Sequence, residues 1–162
     1  MEFMVEEFLA FARGEGTEAA EECDLAELLT SVTRSSSSLG REVTLDIRGD
    51  LTILVRPNAI RRCITNLIVN ACTHAEKVHI HAERRGKLVE ICIDDDGPGI
   101  PEAERESVFK PFYRLDSSRN PQTGGTGLGL SIARDLARGG GGEVELQDSP
   151  AGGTRARVLL PV

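Results

Sequence analysis

The chain has 162 residues, 40% of them apolar, 28% charged and 4% aromatic, which is one domain of ordinary size with material for a core and excludes a fibre, a disulfide mini-protein and a disordered tail. Acidic residues outnumber basic ones 26 to 19, a net charge of −7, and with no Lys/Arg run this argues against nucleic acid or anionic lipid as the main partner. No apolar stretch approaches the ~20 residues of a bilayer span and the N-terminus is acidic, so the chain reads as a soluble, untargeted piece without membrane contact of its own.

In chain order, residues 3–11 place Phe3, Phe8 and Phe11 on one stripe, which predicts a short helix ending at Arg13-Gly14. Three phenylalanines on one face require a partner surface. Residues 14–22 are small and acidic, a linker by composition. A second helix starts at Asp24, with Glu27 three residues on as a capping box, and carries Leu25, Leu28, Leu29 and Val32 up to the serine run at 35–38. Val43, Leu45 and Ile47 alternate with polar residues, and the run 51–55 follows Gly49-Asp50, a pair that predicts a hairpin.

Pro57 suits a first helical turn, and the helix it opens has Ile60, Cys63, Ile64, Leu67, Ile68 and Ala71 at three-and-four spacing. Two alternating segments, 78–82 and 88–93, flank Arg85-Gly86-Lys87 as a second hairpin. A loop-rich middle precedes a helix over about 127–138, a glycine run at 139–142, and strands near 143–147 and 154–160. This order predicts an α+β fold, a two-layer α/β sandwich with a mostly antiparallel sheet packed on helices.

The cysteines at 23, 63, 72 and 92 are far apart and contain no C-x-x-C pair, so neither a zinc site nor a disulfide framework is indicated, and reduced thiols are expected. His79 and His81 share one strand face and have the chemistry to bind a metal, but with no third ligand nearby they also fit a solvated face.

Three constellations carry chemistry. Asn66 and Asn70 lie four apart on one helical face; a neutral amide oxygen can ligate Mg²⁺ without cancelling the charge the metal needs for phosphates, although the spacing equally fits a helix surface. Asp94-Asp95-Asp96-Gly97-Pro98-Gly99 follows a strand directly. A carboxylate there can accept a hydrogen bond from a base amino group, or the segment is an ordinary acidic turn. Gly124-Gly125-Thr126-Gly127-Leu128-Gly129-Leu130 runs into a helix, where glycines let backbone N–H groups and the helix dipole reach phosphate. It lacks the Gly-Lys-Ser/Thr ending of a P-loop.

Taken together with Phe109-Lys110-Pro111-Phe112-Tyr113-Arg114, these segments resemble in order and spacing the N box, first glycine box, F box and second glycine box of sensor histidine kinases, most of all the osmosensor-type kinases. The resemblance covers about residues 24–162 and implies the Bergerat fold of the GHKL superfamily, shared with gyrase, mismatch-repair and heat-shock ATPases. It implies ATP and Mg²⁺ as cofactors, with Asn70 as the metal ligand, Asn66 supporting it, and Asp95 accepting the adenine amino hydrogen. Gly97 and Gly99 would let the chain pass the base. Arg114 would face the phosphates as a catalytic residue beside Asn66 and Asn70, with Lys110 a lesser candidate. Leu115 begins the segment that corresponds to the ATP lid, and Thr126, Gly127, Leu128, Gly129 and Leu130 would wrap the phosphates with backbone amides.

The implied function is that of a catalytic domain passing the ATP γ-phosphoryl group to a histidine on a dimerisation domain outside this chain. Residues 1–13 would be the end of a dimerisation helix, 14–23 a linker and 24–162 the catalytic domain. The partners would be the dimerisation and phosphoacceptor domain and, through the full-length protein, a response regulator. The fragment would be cytoplasmic and its parent anchored in the inner membrane. The alternatives are a Bergerat-fold ATPase or serine kinase, which usually has Glu where this chain has Asn66, and a non-catalytic nucleotide-sensing module. Thr73 replaces the Lys or Arg frequent three residues after the second asparagine, which removes one phosphate-directed charge. No histidine here has the His-Glu/Asp context of a phosphoacceptor.

Overall fold

The computed structural model describes residues 18–36, 39–113 and 129–162; the expected helix at 3–11 therefore lies outside the described residues. Strand β1 (Glu21–Asp24) leads into helix α1 (Leu25–Ser36). Asp24 ends the strand and starts the helix, because its Oδ1 accepts the Ala26 N–H at 2.9 Å, satisfying one of the first-turn donors. Leu25, Leu28, Leu29 and Val32 are all buried, as their spacing requires.

The first hairpin does not form. Strand β2 (Glu42–Arg48) pairs in parallel with β4 (Lys77–Arg85), whereas β3 (Thr52–Val55) pairs antiparallel with β1 in a separate two-stranded ribbon. Alternation specifies that a strand has one buried face and says nothing about which neighbour supplies its hydrogen bonds. Asp50 turns the chain away from β2, its Oδ1 taking the Thr52 N–H at 2.9 Å, and the route through β3 and α2 (Pro57–His74) supplies the long crossover a parallel pair needs. The pairing with β3 also takes residues 21–23 out of the compositional linker and into β1.

Helix α2 has Pro57 at its start and no local side-chain cap. Its orphan donors are met from 40 residues upstream: the Glu18 carboxylate accepts the Asn58 N–H at 3.0 Å and the Ala59 N–H at 3.1 Å. A carboxylate there also complements the positive end of the helix dipole. The second expected hairpin is present, β4 pairing antiparallel with β5 (Leu88–Asp95), and β5 continues to β7 (Thr154–Pro161) and β6 (Glu143–Asp148). The five-stranded order is β2-β4-β5-β7-β6, with α3 (Gly129–Gly139) completing the helical layer.

One face of this sheet presents Val78, Ile80, Val89, Ile91, Ile93 and Val158 to the helices, where they join Ile64, Leu67 and Ile68 of α2 in one core. Ile64 is fully buried, so Ile64→Ala is expected to cost about 2–5 kcal/mol, read as a lower urea midpoint at unchanged slope. All four cysteines are free, and burial pushes the Cys63 thiol up to about 12.

The opposite face is polar, and it is closed over along β5 alone. Glu90 and Asp94 of β5 are buried beneath arginines of β7: Arg155 grips both Asp94 oxygens at 2.6 and 2.9 Å, and Arg157 Nε meets Glu90 at 2.7 Å. The register pairs Asp94 directly with Arg155, and such charge-assisted bonds are what let a carboxylate stay buried. His79 and His81 lie on this face, His79 Nδ1 2.7 Å from the Thr44 hydroxyl. Among the described residues no three His, Cys, Asp or Glu side chains converge on a metal position, and no helix is long and apolar enough to cross a membrane.

Candidate functional site

Asp95 is the last residue of β5, and it is 6% exposed. Its Oδ1 accepts two backbone N–H groups, from Gly97 and from Thr154, each at 3.0 Å. Its own carbonyl accepts the Gly153 N–H at 3.1 Å. One carboxylate oxygen is thus fixed by the main chain, while no hydrogen bond from the described residues engages Oδ2. Burial pushes the Asp95 carboxyl above the ordinary Asp value, against the downward pull of the Thr154 and Gly97 N–H groups. The result is a pre-aimed acceptor in a semi-dry site.

Two glycines are required by this geometry. A Cβ on Gly97 would stand 2.6 Å from the His74 carbonyl oxygen, and one on Gly153 would meet Asp95 Oδ1 as well as the Asp95 carbonyl and the Gly97 nitrogen, both at 2.6 Å. Close backbone approach therefore shapes the loop around Asp95. Because His74 closes α2 and abuts Gly97, the helix bearing Asn66 and Asn70 runs straight into the loop bearing Asp95. Asn70 lies one turn and Asn66 two turns before that junction. Asp96, next to Asp95, serves the loop alone. Its Oδ1 takes the Glu76 and Lys77 N–H groups at 3.0 Å each and pins the loop to the α2–β4 connection.

The two asparagines are half-buried, and Asn66 Nδ2 is a buried donor with no partner among the described residues. An unmet buried donor of this kind costs about 1–3 kcal/mol unless something from outside satisfies it. His74, close to Asp95, has its imidazole pushed toward the neutral form by burial, with Asp95 opposing.

The HATPase_c family, described as histidine kinase-, DNA gyrase B- and HSP90-like ATPase, matches residues 55–162, the span that holds Asn66, Asn70, Asp95, Gly97 and Gly153. The chain belongs to that family. Among relatives of the HATPase_c domain, the sensor histidine kinase CpxA of Escherichia coli K12 is 33% identical over 139 residues, covering 85% of this chain and 30% of CpxA. The chain thus spans about a third of the length of that curated relative. The solved ATP-binding domain of PrrB from Mycobacterium tuberculosis superposes with a TM-score of 0.74 at 31% identity, covering 88% of this chain and 96% of that domain's chain. A structure of full-length ShkA in complex with AMPPNP gives 0.83 at 25% identity, covering 98% of this chain and 35% of that one. The chain is an ATP-binding catalytic domain of the sensor histidine kinase type, with the α+β architecture expected of it.

Within the domain, the expected site residues fall into three groups. Asn66, Asn70, Asp95, Gly97 and Gly99 are brought to one end of the sheet around the α2 terminus. Gly129 and Leu130 open α3 (Gly129–Gly139), which packs against α2, and the expected start at 127 lies outside the described residues. Arg114, Leu115, Thr126, Gly127 and Leu128 lie outside the described residues. The F-box segment ends in the described region at Tyr113, with Phe109 buried, Phe112 60% exposed at a left-handed φ of 64°, and the Tyr113 hydroxyl donating to Glu104 Oε1 at 2.7 Å.

Gly153 and Thr154 are site residues that the sequence motifs do not mark. Their signal, a Gly152-Gly153 pair opening a strand, is present in the sequence, but its meaning depends on a carboxylate 59 positions away.

Proposed function

We propose that this domain binds Mg-ATP and passes the γ-phosphoryl group to a histidine on a separate dimerisation domain, from which a response regulator receives it. The observation that carries the reading is Asp95: a buried carboxylate with Oδ1 locked by two N–H groups and Oδ2 left to accept the adenine amino hydrogen. The names of CpxA as a sensor histidine kinase and of ShkA as an AMPPNP complex support it. The likeness to osmosensor-type kinases rests on the four boxes.

The donor set fits magnesium. A single neutral amide oxygen from Asn70, with no cage of protein carboxylates among the described residues, suits an ion that keeps waters and takes its other ligands from phosphates. When bound, Mg²⁺ supplies charge neutralisation between the phosphates. The unpartnered Asn66 Nδ2 donates to a phosphate oxygen or its water. Asn66 and Asn70 act as catalytic residues by positioning, beside Arg114 at the phosphates. Leu115, Thr126, Gly127, Leu128, Gly129 and Leu130 complete the phosphate enclosure, and Gly97 and Gly99 shape the adenine side. Residues 1–13 are proposed as the end of a dimerisation helix and 14–23 as the connection from it, the last three of them folded into β1, in a parent anchored in the inner membrane with this domain in the cytoplasm.

An amide is no base, so Asn66 cannot activate water, and the chain alone is expected to hydrolyse ATP very slowly. Incubation with γ-labelled ATP tests the proposal: label is expected on a histidine of the added dimerisation domain and little as free phosphate. Rapid Mg-dependent phosphate release by the chain alone, with no label transferred, would contradict it.

The raised Asp95 carboxyl gives a pH dependence with a definite sign. The acceptor must be ionised, and its protonated form is reached at higher pH than for an ordinary Asp. ATP affinity is therefore expected to fall on acidification before ordinary carboxylates titrate. Calorimetry across pH 4 to 8 checks this, and an affinity that is flat down to the usual Asp range would refute it.

A further inference from the structure

Arg134, in the second turn of α3, is gripped on every side. Its Nη1 and Nη2 donate to the two oxygens of Glu106 at 3.0 and 3.1 Å, its Nε donates to Glu143 Oε1 at 3.0 Å, and its guanidinium carbon lies 3.9 Å from the centroid of the Phe109 ring. The arginine side chain is 12% exposed, whereas Glu106 is 79% exposed. Ion pairs with so exposed a partner contribute little to stability. Four simultaneous contacts therefore specify a geometry more than they supply free energy, and only a planar fork that also stacks on an aromatic face makes all of them.

The geometry they specify is that of two elements which, on the nucleotide-site reading proposed above, border the phosphates. Glu106 and Phe109 belong to the strap between the first glycine box and Tyr113. Within it the Lys110 N–H donates to the Ser107 carbonyl at 3.0 Å, the Tyr113 N–H to the Lys110 carbonyl at 3.1 Å, and the Tyr113 hydroxyl to Glu104. The position of Phe109 is thereby passed along to Tyr113. On the other side, Arg134 lies about one turn from Gly129 and Leu130 in a continuous helix.

We propose that Arg134 is a positioning residue for nucleotide binding, fixing the strap from Glu106 to Tyr113 against the first turn of α3 so that the two borders of the phosphate end keep one separation. The proposal rests on the nucleotide-site reading above. It assigns Arg134 no contact with nucleotide: its effect runs through Phe109 and Glu106.

Tyr113 is the only tyrosine and the chain has no tryptophan, so intrinsic emission reports on the strap alone. Three variants are measured for ATP affinity by calorimetry, for Tyr113 fluorescence and for thermal midpoint: Arg134→Met, Arg134→Lys and Glu106→Gln. Arg134→Met is expected to weaken ATP binding about tenfold, the scale of a displaced binding element, and to change Tyr113 emission. Arg134→Lys, which keeps the charge over the ring and loses the fork, is expected to fall between. Glu106→Gln, at an exposed position, is expected to keep the wild-type midpoint while weakening binding a few-fold, and it decides the matter together with Arg134→Lys if Arg134→Met does not fold. Wild-type affinity in the folded variants, or an affinity that falls only in step with the folded fraction, overturns the inference. Failure of the wild-type chain to bind ATP would instead remove the site reading and this inference with it.

Discussion

Asp95→Asn is expected to leave the domain folded and to abolish measurable ATP binding. The amide oxygen of the variant can still accept the Gly97 and Thr154 N–H groups that hold Oδ1 in place, so the loop survives. The second oxygen becomes an NH₂ group, and a donor then faces the adenine amino donor. Loss of a hydrogen bond to a charged acceptor is worth about 1.5–3 kcal/mol, and the unmatched donor pair adds to it, so a loss of ~100-fold or more in affinity is anticipated. Calorimetry and a thermal melt on the same preparation separate the two effects. A variant that binds ATP within a few-fold of the wild type would remove Asp95 from the base-recognition role.

Gly153→Ala is expected to be damaging in a different manner, lowering stability and binding together. Its Cβ would collide with the Asp95 carboxylate and carbonyl and with the Gly97 nitrogen, all of them held by main-chain bonds rather than by flexible side chains. The backbone must shift, and the bonds from Gly153 and Thr154 to Asp95 are the ones that open. A destabilisation of roughly 2–4 kcal/mol is anticipated from overpacking plus disrupted buried hydrogen bonds, visible as a lower urea midpoint. Gly152→Ala, one residue earlier, meets no atom within 4 Å, but its φ of 103° makes it an imperfect control. The comparison that matters is therefore Gly153→Ala with the wild type, and an unchanged midpoint would show that the loop yields without penalty.

What the sequence discloses and what it withholds follow from the range of the interactions. The apolar spacing of α1 and α2 and the alternation in β4 and β5 are local, and each element is found where its pattern places it. The four boxes are also local strings, which is why Asn66, Asn70 and Asp95 can be named from the sequence alone. Strand partnership is not local. Val43, Leu45 and Ile47 look the same whether β2 pairs with β3 or, as it does, with β4.

The same limit hides four contributors. Glu18 sits in an acidic stretch that composition marks as linker, and only the uncapped start of α2, 40 positions on, gives its carboxylate a purpose. Gly153 and Thr154 become site residues only when β7 lies beside β5. Arg134 is one more surface-pattern arginine in α3 until Glu106 and Phe109 come under it.

Whether this domain reads adenine through Asp95 is decided most directly by a calorimetric titration of the wild-type chain with ATP and, in parallel, with GTP, each with Mg²⁺. Adenine offers an amino hydrogen to the free carboxylate oxygen where guanine offers a carbonyl oxygen, and two acceptors face to face repel. Saturable binding of ATP with no detectable binding of GTP is the predicted result; equal binding of both nucleotides, or of neither, would contradict it.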